Sequence, residues 1–263
     1  MEPIVARTLE FAVLTGLLFA PIEHFFGARE NDRRGRLTDL LFATVGEMIG
    51  RAGLVFVIAV ALAYLDRFAP ERALIPYTTF GQVLEVVLGL FLIAFSGYVW
   101  HRLSHAVPWL WRMHSVHHSS ESMDWLAGFR RHPLEVMLTT LVQNAPVVML
   151  GIPLGAHIAV IILLRVNTIF VHSNLHVNLG PLRYLIATPD FHHRHHARHG
   201  EAKNFSSIFP FLDYAFGTGT DEAADEFGVD EPMPTSFTGL MLHPFVPATP
   251  VATPASAGER PTR

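Results

Sequence analysis

Ten of the sixteen histidines in this 263-residue chain recur at intervals of three and four: His101 and His105; His114, His117 and His118; His172 and His176; His192, His195 and His196. Residues three and four apart share one face of an α-helix, so the spacing predicts that each set aims its imidazoles at a common point. Imidazole is a ligand for iron, zinc and copper. One ion with about four to six ligands takes fewer than ten imidazoles, and the surplus points to two metals. Without a common partner, this many buried imidazoles would leave polar groups unpaired at a few kcal/mol each.

The chemistry of such a site divides by metal. A hydrolytic zinc centre uses about three protein ligands and an activated water. The chain has no His-Glu-x-x-His, and three ligands would leave most of the histidines unexplained. Two redox-active irons give a reason for a large shell of neutral nitrogens, because the ions stay charged and can share the electrons needed to cleave O₂. Imidazole sites do not reject zinc strongly, so purified material can carry zinc in place of iron. The rivals are a zinc-dependent membrane hydrolase and a metal transporter. A transporter would place its histidines near the bilayer midplane on broken helices, whereas these stand at the ends of apolar segments and in polar stretches.

A ligating histidine normally donates its other ring N–H to a carboxylate, a carbonyl or water. Asp190, Asp124, Glu121, Asp213, Asn174 and Asn204 are the candidate acceptors, and His132 and His193 are expected to support the ligands rather than join them. The scattered His24, His157, His199 and His243 are expected to be ordinary surface or core residues.

The elements that position these residues are membrane helices. Half the chain is hydrophobic, 16% is charged and the mean hydropathy is +0.32, too apolar for an ordinary soluble domain. A net charge of −4 offers no basic patch for nucleic acid, and the absence of Cys excludes disulfides, thiolate-held clusters and a Cys nucleophile. Apolar segments at about 9–26, 40–65 and 83–100 are read as three long transmembrane helices, the first retained rather than cleaved because Pro21 follows Ala20. Residues 66–76 form a turn between Pro70 and Pro76, and the third helix runs into His101.

Two shorter apolar limbs, 134–150 and 156–171, flank turn residues Gly151, Pro153 and Gly155 and form a short membrane-embedded pair. Glu47 and Arg51 stand four apart at membrane depth, where an ion pair is expected, and Arg165 must face protein or water. Arginines at 29, 33, 34 and 36 lie on the side that carries the histidines, which by the positive-inside rule is the cytoplasmic side. Gly217 and Gly219 lack the strand and third glycine of a dinucleotide site.

Particular strings carry a resemblance. His101-Arg-x-x-His105, Trp111-x-x-His114-x-x-His117-His118, Arg131-His132-Pro133-x-Glu135, His172-Ser-Asn174, Thr188-Pro189-x-x-His192-x-x-His195-His196, Asn204-Phe205 and Phe216-Gly217-Thr218 resemble the fatty acid hydroxylase superfamily, also called the sterol desaturase family. The likeness covers about residues 85–220. It implies a membrane-embedded non-haem di-iron oxygenase that acts on lipids, with the eight histidines of the three boxes as ligands and His172 and His176 as the additional pair of fatty acyl hydroxylases. Acyl-lipid desaturases are less similar, since their first two boxes usually stand a few tens of residues apart. Some members carry a fused haem domain; none is read here, which implies an external ferredoxin-like or reductase donor.

The expectation is an all-α integral membrane bundle, multi-pass, with a cytoplasmic histidine-rich cap that hydroxylates or desaturates a lipid. Its parts are N-terminal membrane helices at 1–82, a catalytic region at 83–220, and a tail at 221–263 that is acidic, then rich in Pro, Ala and Thr and disordered from about 247.

Overall fold

The structure, a computed structural model, describes residues 2–30, 35–65, 79–152 and 158–246. The expected turn at 66–76, His157 and the tail from 247 lie outside them. Among the described residues there is no strand, only the isolated bridges Gly27–Leu175 and Ala197–Phe227. Helix α1 is Glu2–Phe26, α2 Arg36–Leu41, α3 Glu47–Leu65, α4 Thr79–Ala106, α5 Pro108–His118, α6 Pro133–Met149, α7 Ile158–His172, α8 Pro189–His195, α9 Phe211–Ala215 and α10 Phe237–Leu242.

Three stretches are long and apolar enough to cross a membrane: Pro3–Phe26, Arg36–Val57 and Gly81–Ala106. The second combines α2 and α3 across a π-helical turn at Phe42–Gly46. Such a turn inserts one residue into the helix and commonly marks a functional region. Here it buries Phe42 against Val116 of α5 and Leu240 of α10, while Ala43 joins Phe19, Leu126, Phe129 and Ile169 in a second cluster. This π-helical turn therefore packs directly beneath the histidine-bearing cap.

Glycines let the helices approach. A Cβ on Gly97 of α4 would meet Gln143 Nε2 of α6 at 2.6 Å, and one on Gly53 of α3 would meet Met137 Sδ of α6 at 2.6 Å. Pro at the first position suits both α5 and α6, where the missing N–H is one of the unpaired donors of a helix start. Pro146 inside α6 and Pro21 inside α1 do not end their helices.

The expected membrane-depth ion pair is a triad. Glu47 Oε2 accepts from Arg51 Nε at 3.2 Å and from Arg165 Nη2 at 2.5 Å, which ties α3 to α7. Both guanidinium groups lie over the Phe11 ring of α1. Arg165 thus faces protein, as an intramembrane charge must, and its role is to join helices.

The end of α1 is clipped to the cap at two places. Glu23 Oε1 accepts from the backbone N–H of Trp125 at 2.8 Å and of Asn174 at 2.9 Å. The Asn174 side chain closes on Arg29, donating to its carbonyl at 2.8 Å and accepting from its N–H at 3.1 Å. The segments leading from α5 and from α7 are both held by one carboxylate.

Candidate metal centre

Nine histidines converge in two groups. His101, His105, His114, His118 and His195 form the first, and His117, His172, His192 and His196 the second, with one ring nitrogen of each residue within 4.8 Å of all others in its group. The sequence sets are divided between them. On α5, His114 and His118 enter the first group and His117 the second; on α8, His192 and the adjoining His196 enter the second and His195 the first. At 3.6 residues per turn, positions four apart differ by about 40° around the axis, whereas neighbours such as His117 and His118 differ by about 100°. A triplet spaced 0, 3 and 4 therefore serves two points, and the rings of His118 and His196, stacked at 4.3 Å, join the groups.

The outer ring nitrogens fix which nitrogen faces inward. His101 Nδ1 donates to the Phe205 carbonyl at 2.6 Å, His117 Nδ1 to Arg130 at 3.1 Å, His172 Nδ1 to Thr168 at 2.6 Å and His195 Nδ1 to Lys203 at 2.8 Å. A carbonyl can only accept, so in these neutral rings Nε2 carries the lone pair. His114 Nδ1 meets Glu135 Oε1 at 2.9 Å, the carboxylate–histidine pairing that orients metal ligands.

The inward nitrogens then face one another: His101 and His114 at 2.9 Å, His114 and His118 at 3.1 Å, His105 and His195 at 3.2 Å, His117 and His172 at 3.0 Å, His172 and His192 at 3.1 Å. For His117 and His172, whose outer nitrogens both donate to carbonyls, and for His101 and His114, held by a carbonyl and a carboxylate, lone pair faces lone pair, which is repulsive unless a cation lies between. A metal–nitrogen bond of about 2.0–2.1 Å separates neighbouring ligand nitrogens by about 2.9 Å in an octahedron and about 3.4 Å in a tetrahedron. The observed spacings fall in that window.

Burial also disfavours a second proton on these rings. Burial pushes His114, His117, His118, His192, His195 and His196 well below the ordinary imidazole range, and neighbouring histidines push them further. Both ring nitrogens of His196 and Nδ1 of His192 are buried without a hydrogen-bond partner among the described residues. Orphaned imidazole nitrogens in a neutral, convergent shell are what a pair of metal ions would satisfy.

His176 stands apart from both groups. Helix α7 ends at His172, so the four-residue spacing is not a helical turn; the His176 side chain is 72% exposed and pairs with Asp190 at 3.0 Å. His132 Nδ1 accepts from the N–H of Leu134 at the start of α6, and its Nε2 donates to the Met241 carbonyl at 3.1 Å, so it caps a helix and fastens α10. His193 contacts Arg29 Nη1 at 2.9 Å and the His172 carbonyl at 3.3 Å, and burial with the Arg29 charge lowers it to about 4.

The expected acceptors serve the scaffold. Asp124 accepts from the N–H groups of Leu126 and Ala127, Asp190 from Val177, and Glu121 pairs with Arg198. Asn204, in the left-handed region at φ 56, donates to the carbonyls of Phe191 and Thr220 and accepts from the Thr220 N–H. Asp213 accepts from the N–H groups of Phe205 and Ser206, which steadies the carbonyl that holds His101. Asp39 pairs with Arg130, whose carbonyl holds His117. Sequence reasoning missed Glu135 as the acceptor for His114; its signal was its place in the Arg131-to-Glu135 string. His199 and His243 touch neither group, and His24 packs on Phe25.

A cavity of about 110 Å³ opens against both groups. It is lined by His101, His114, His117, His172 and His192 and extends between α4, α6 and α7 past Trp100, Thr139, Gly97 and Gln143. Gly97 lies a helical turn on the membrane side of His101. Space beside the histidine groups therefore leads toward the apolar part of α4.

Residues 86–218 match the fatty acid hydroxylase family. The chain belongs to this family. It is 25% identical to the ornithine lipid hydroxylase OlsE of Rhizobium tropici over 238 residues, 86% of this chain and 70% of that protein. It is 27% identical to the alkylglycerol monooxygenase of Homo sapiens over 208 residues, 76% of this chain and 45% of that one. A very-long-chain aldehyde decarbonylase of Oryza sativa subsp. indica is 28% identical over 160 residues, 59% of each chain. The chain thus spans under half the length of the human relative and little more than half of the rice one. No solved structure matches.

Proposed function

We propose that this fatty acid hydroxylase family member is a lipid hydroxylase of the membrane, with one iron ion in each histidine group and the site on the cytoplasmic side. The observation that carries the reading is the pairing of facing Nε2 atoms at 2.9–3.2 Å in two adjoining groups beside a cavity that leads toward the apolar part of α4. The iron pair, when bound, supplies O₂ activation, in which a lipid C–H, O₂, two electrons and two protons give the alcohol and water; the electrons come from an external ferredoxin-like protein or reductase.

The chain's own part is to hold, orient and exclude. Buried neutral imidazoles keep their lone pairs free at neutral pH, and the carbonyls of Phe205, Arg130, Thr168 and Lys203 prevent the rings from flipping. Trp100 Nε1 donates to Thr139 Oγ1 at 2.9 Å, which fixes the indole along the cavity wall. Ser104, Thr139, Gln143, Thr168 and Ser207 make that wall more polar than a plain hydrocarbon slot. A substrate segment carrying a hydrogen-bonding group fits it, and the names of two relatives specify an ornithine lipid and an alkylglycerol. The arginines around the cap favour the cytoplasmic side.

The test is a comparison of lipid extracts from cells with and without the gene, under ¹⁸O₂. One lipid gaining a single ¹⁸O atom is expected. Unlabelled product, as from hydrolysis, or no change with an iron-loaded protein and reductant present, would overturn the reading.

A further inference from the structure

We propose that residues 182–186 together with Phe216 form a lip of the cap that inserts into the lipid leaflet beside the histidine groups. Leu182 is 53% exposed, Leu185 52%, Ile186 46% and Phe216 53%. Apolar side chains clustered this way on the outside of a folded cap mark an interaction surface.

Their depth identifies the partner. The Phe216 ring packs on Phe95 at 6.2 Å and on Tyr98 at 5.6 Å, both in α4. Phe95 precedes His101 by six residues, which at 1.5 Å each is about 9 Å toward the membrane. The Ser207 carbonyl accepts from Asn167 Nδ2 of α7 at 2.6 Å. Asn167 precedes His172 by five residues, about 7.5 Å in the same direction. The stretch from 205 to 216 therefore lies alongside α4 and α7 on the membrane side of their histidines.

Residues 182–186 are fastened to that stretch. The Ala187 N–H donates to the Ile208 carbonyl at 3.0 Å, and the rings of Tyr184 and Tyr214 meet edge to face at 5.0 Å. Both tyrosine hydroxyls turn to one ion pair: Arg183 Nη2 donates to Tyr184 Oη at 3.0 Å, Tyr214 Oη donates to Asp221 at 2.6 Å, and Arg183 and Asp221 are 3.1 Å apart. Apolar rings with polar tips at one level are the pattern of aromatic side chains at a membrane–water boundary. The apolar surface is also continuous with a membrane-spanning helix, since exposed Phe91 of α4 stacks on Phe95 at 6.0 Å. A bilayer is the occupant that covers α4 and this lip at once. Phe205 and Ser207, on the stretch to which the lip is fastened, line the cavity, so the lip lies beside it.

The absence of Cys allows a direct test. Single variants Leu185→Cys and Ile186→Cys, spin-labelled in the full chain with metal bound, are reconstituted in phosphatidylcholine nanodiscs. Collision rates with O₂, which partitions into lipid, and with a water-soluble nickel chelate are compared. Val87→Cys on the exposed face of α4 is the lipid reference and Glu201→Cys the aqueous one. The oxygen-over-nickel preference at 185 and 186 should have the sign seen at 87 and the opposite of that at 201. The sign seen at 201, or exclusion of both reagents as under a bound protein or second copy, would overturn the proposal. If either variant fails to retain metal, Leu182→Cys replaces it with the same two readings.

Discussion

The two histidine groups contain the same ligand type and differ in their walls. In the second group all four residues are buried, and the known outer partners of His117 and His172 are backbone carbonyls. In the first, His101 and His105 are half-buried, the Trp111 ring lies tilted against His105 at 5.0 Å, and His114 has a carboxylate, Glu135, behind it. A carboxylate raises the basicity of its imidazole, whereas a carbonyl mainly fixes its orientation. Both groups open on the cavity, but the second is the more buried half, and the first is the half that side-chain chemistry can tune and that the membrane helix α4 reaches directly.

The largest effect is expected when one histidine is removed from each half. His114→Ala and His117→Ala should both abolish turnover, because each deletes a metal bond and strands its outer partner. Each should lower bound metal by about one ion per chain, not two, if the groups hold separate ions. Metal content and product measured in the same preparation decide it; a single variant that empties both groups would merge them into one cooperative site.

A smaller effect distinguishes the walls. Glu135→Ala should weaken metal binding in the first group by about 10- to 100-fold, the range for groups that orient a ligand, and leave the second group filled. Glu135→Gln should recover part of this, since its amide oxygen can still accept from His114 Nδ1. Metal titration with a competing chelator reads both. Equal weakening of the two groups would remove the distinction.

The next effect falls on the substrate rather than the metal. A Cβ at position 97 would stand 2.6 Å from Gln143 Nε2, so Gly97→Ala must displace that amide along the cavity. We expect KM to rise severalfold with metal content unchanged, because an overpacked contact costs about 1–3 kcal/mol before relaxation. A fall in metal with KM intact would place Gly97 in the support of His101 instead.

The smallest effect is expected at His176. It is exposed and pairs only at the surface, so His176→Gln should keep both ions and change stability by no more than about 0.5 kcal/mol. Thermal unfolding and metal analysis of the variant check this, and loss of an ion would bring His176 back among the ligands.

How far the sequence could be read follows from the range of each interaction. The three long helices and the convergence of the eight box histidines follow local patterns, of hydropathy and of spacing, and both were legible. His172 and His176 share the same spacing, yet only His172 is on a helix; the chain beyond α7 is held at Asn174 by Glu23 and Arg29, over 140 residues away, which no local pattern announces. The division of α5 and α8 between two groups was implicit in helical geometry, but the facing helices decide which point each ring reaches. The acceptors behind the rings were legible least, because four of them are main-chain carbonyls that no residue type announces. Glu135 was the exception: its side chain acts, but across 21 residues, where spacing gives no guide.

The central claim is that the two groups hold two ions in the working protein. Anaerobic iron loading, followed by elemental analysis and Mössbauer spectroscopy of the same active sample, tests it most directly. About two iron ions per chain in two nitrogen-rich environments are expected, with activity rising as the second is filled. Full activity at one iron per chain would contradict it.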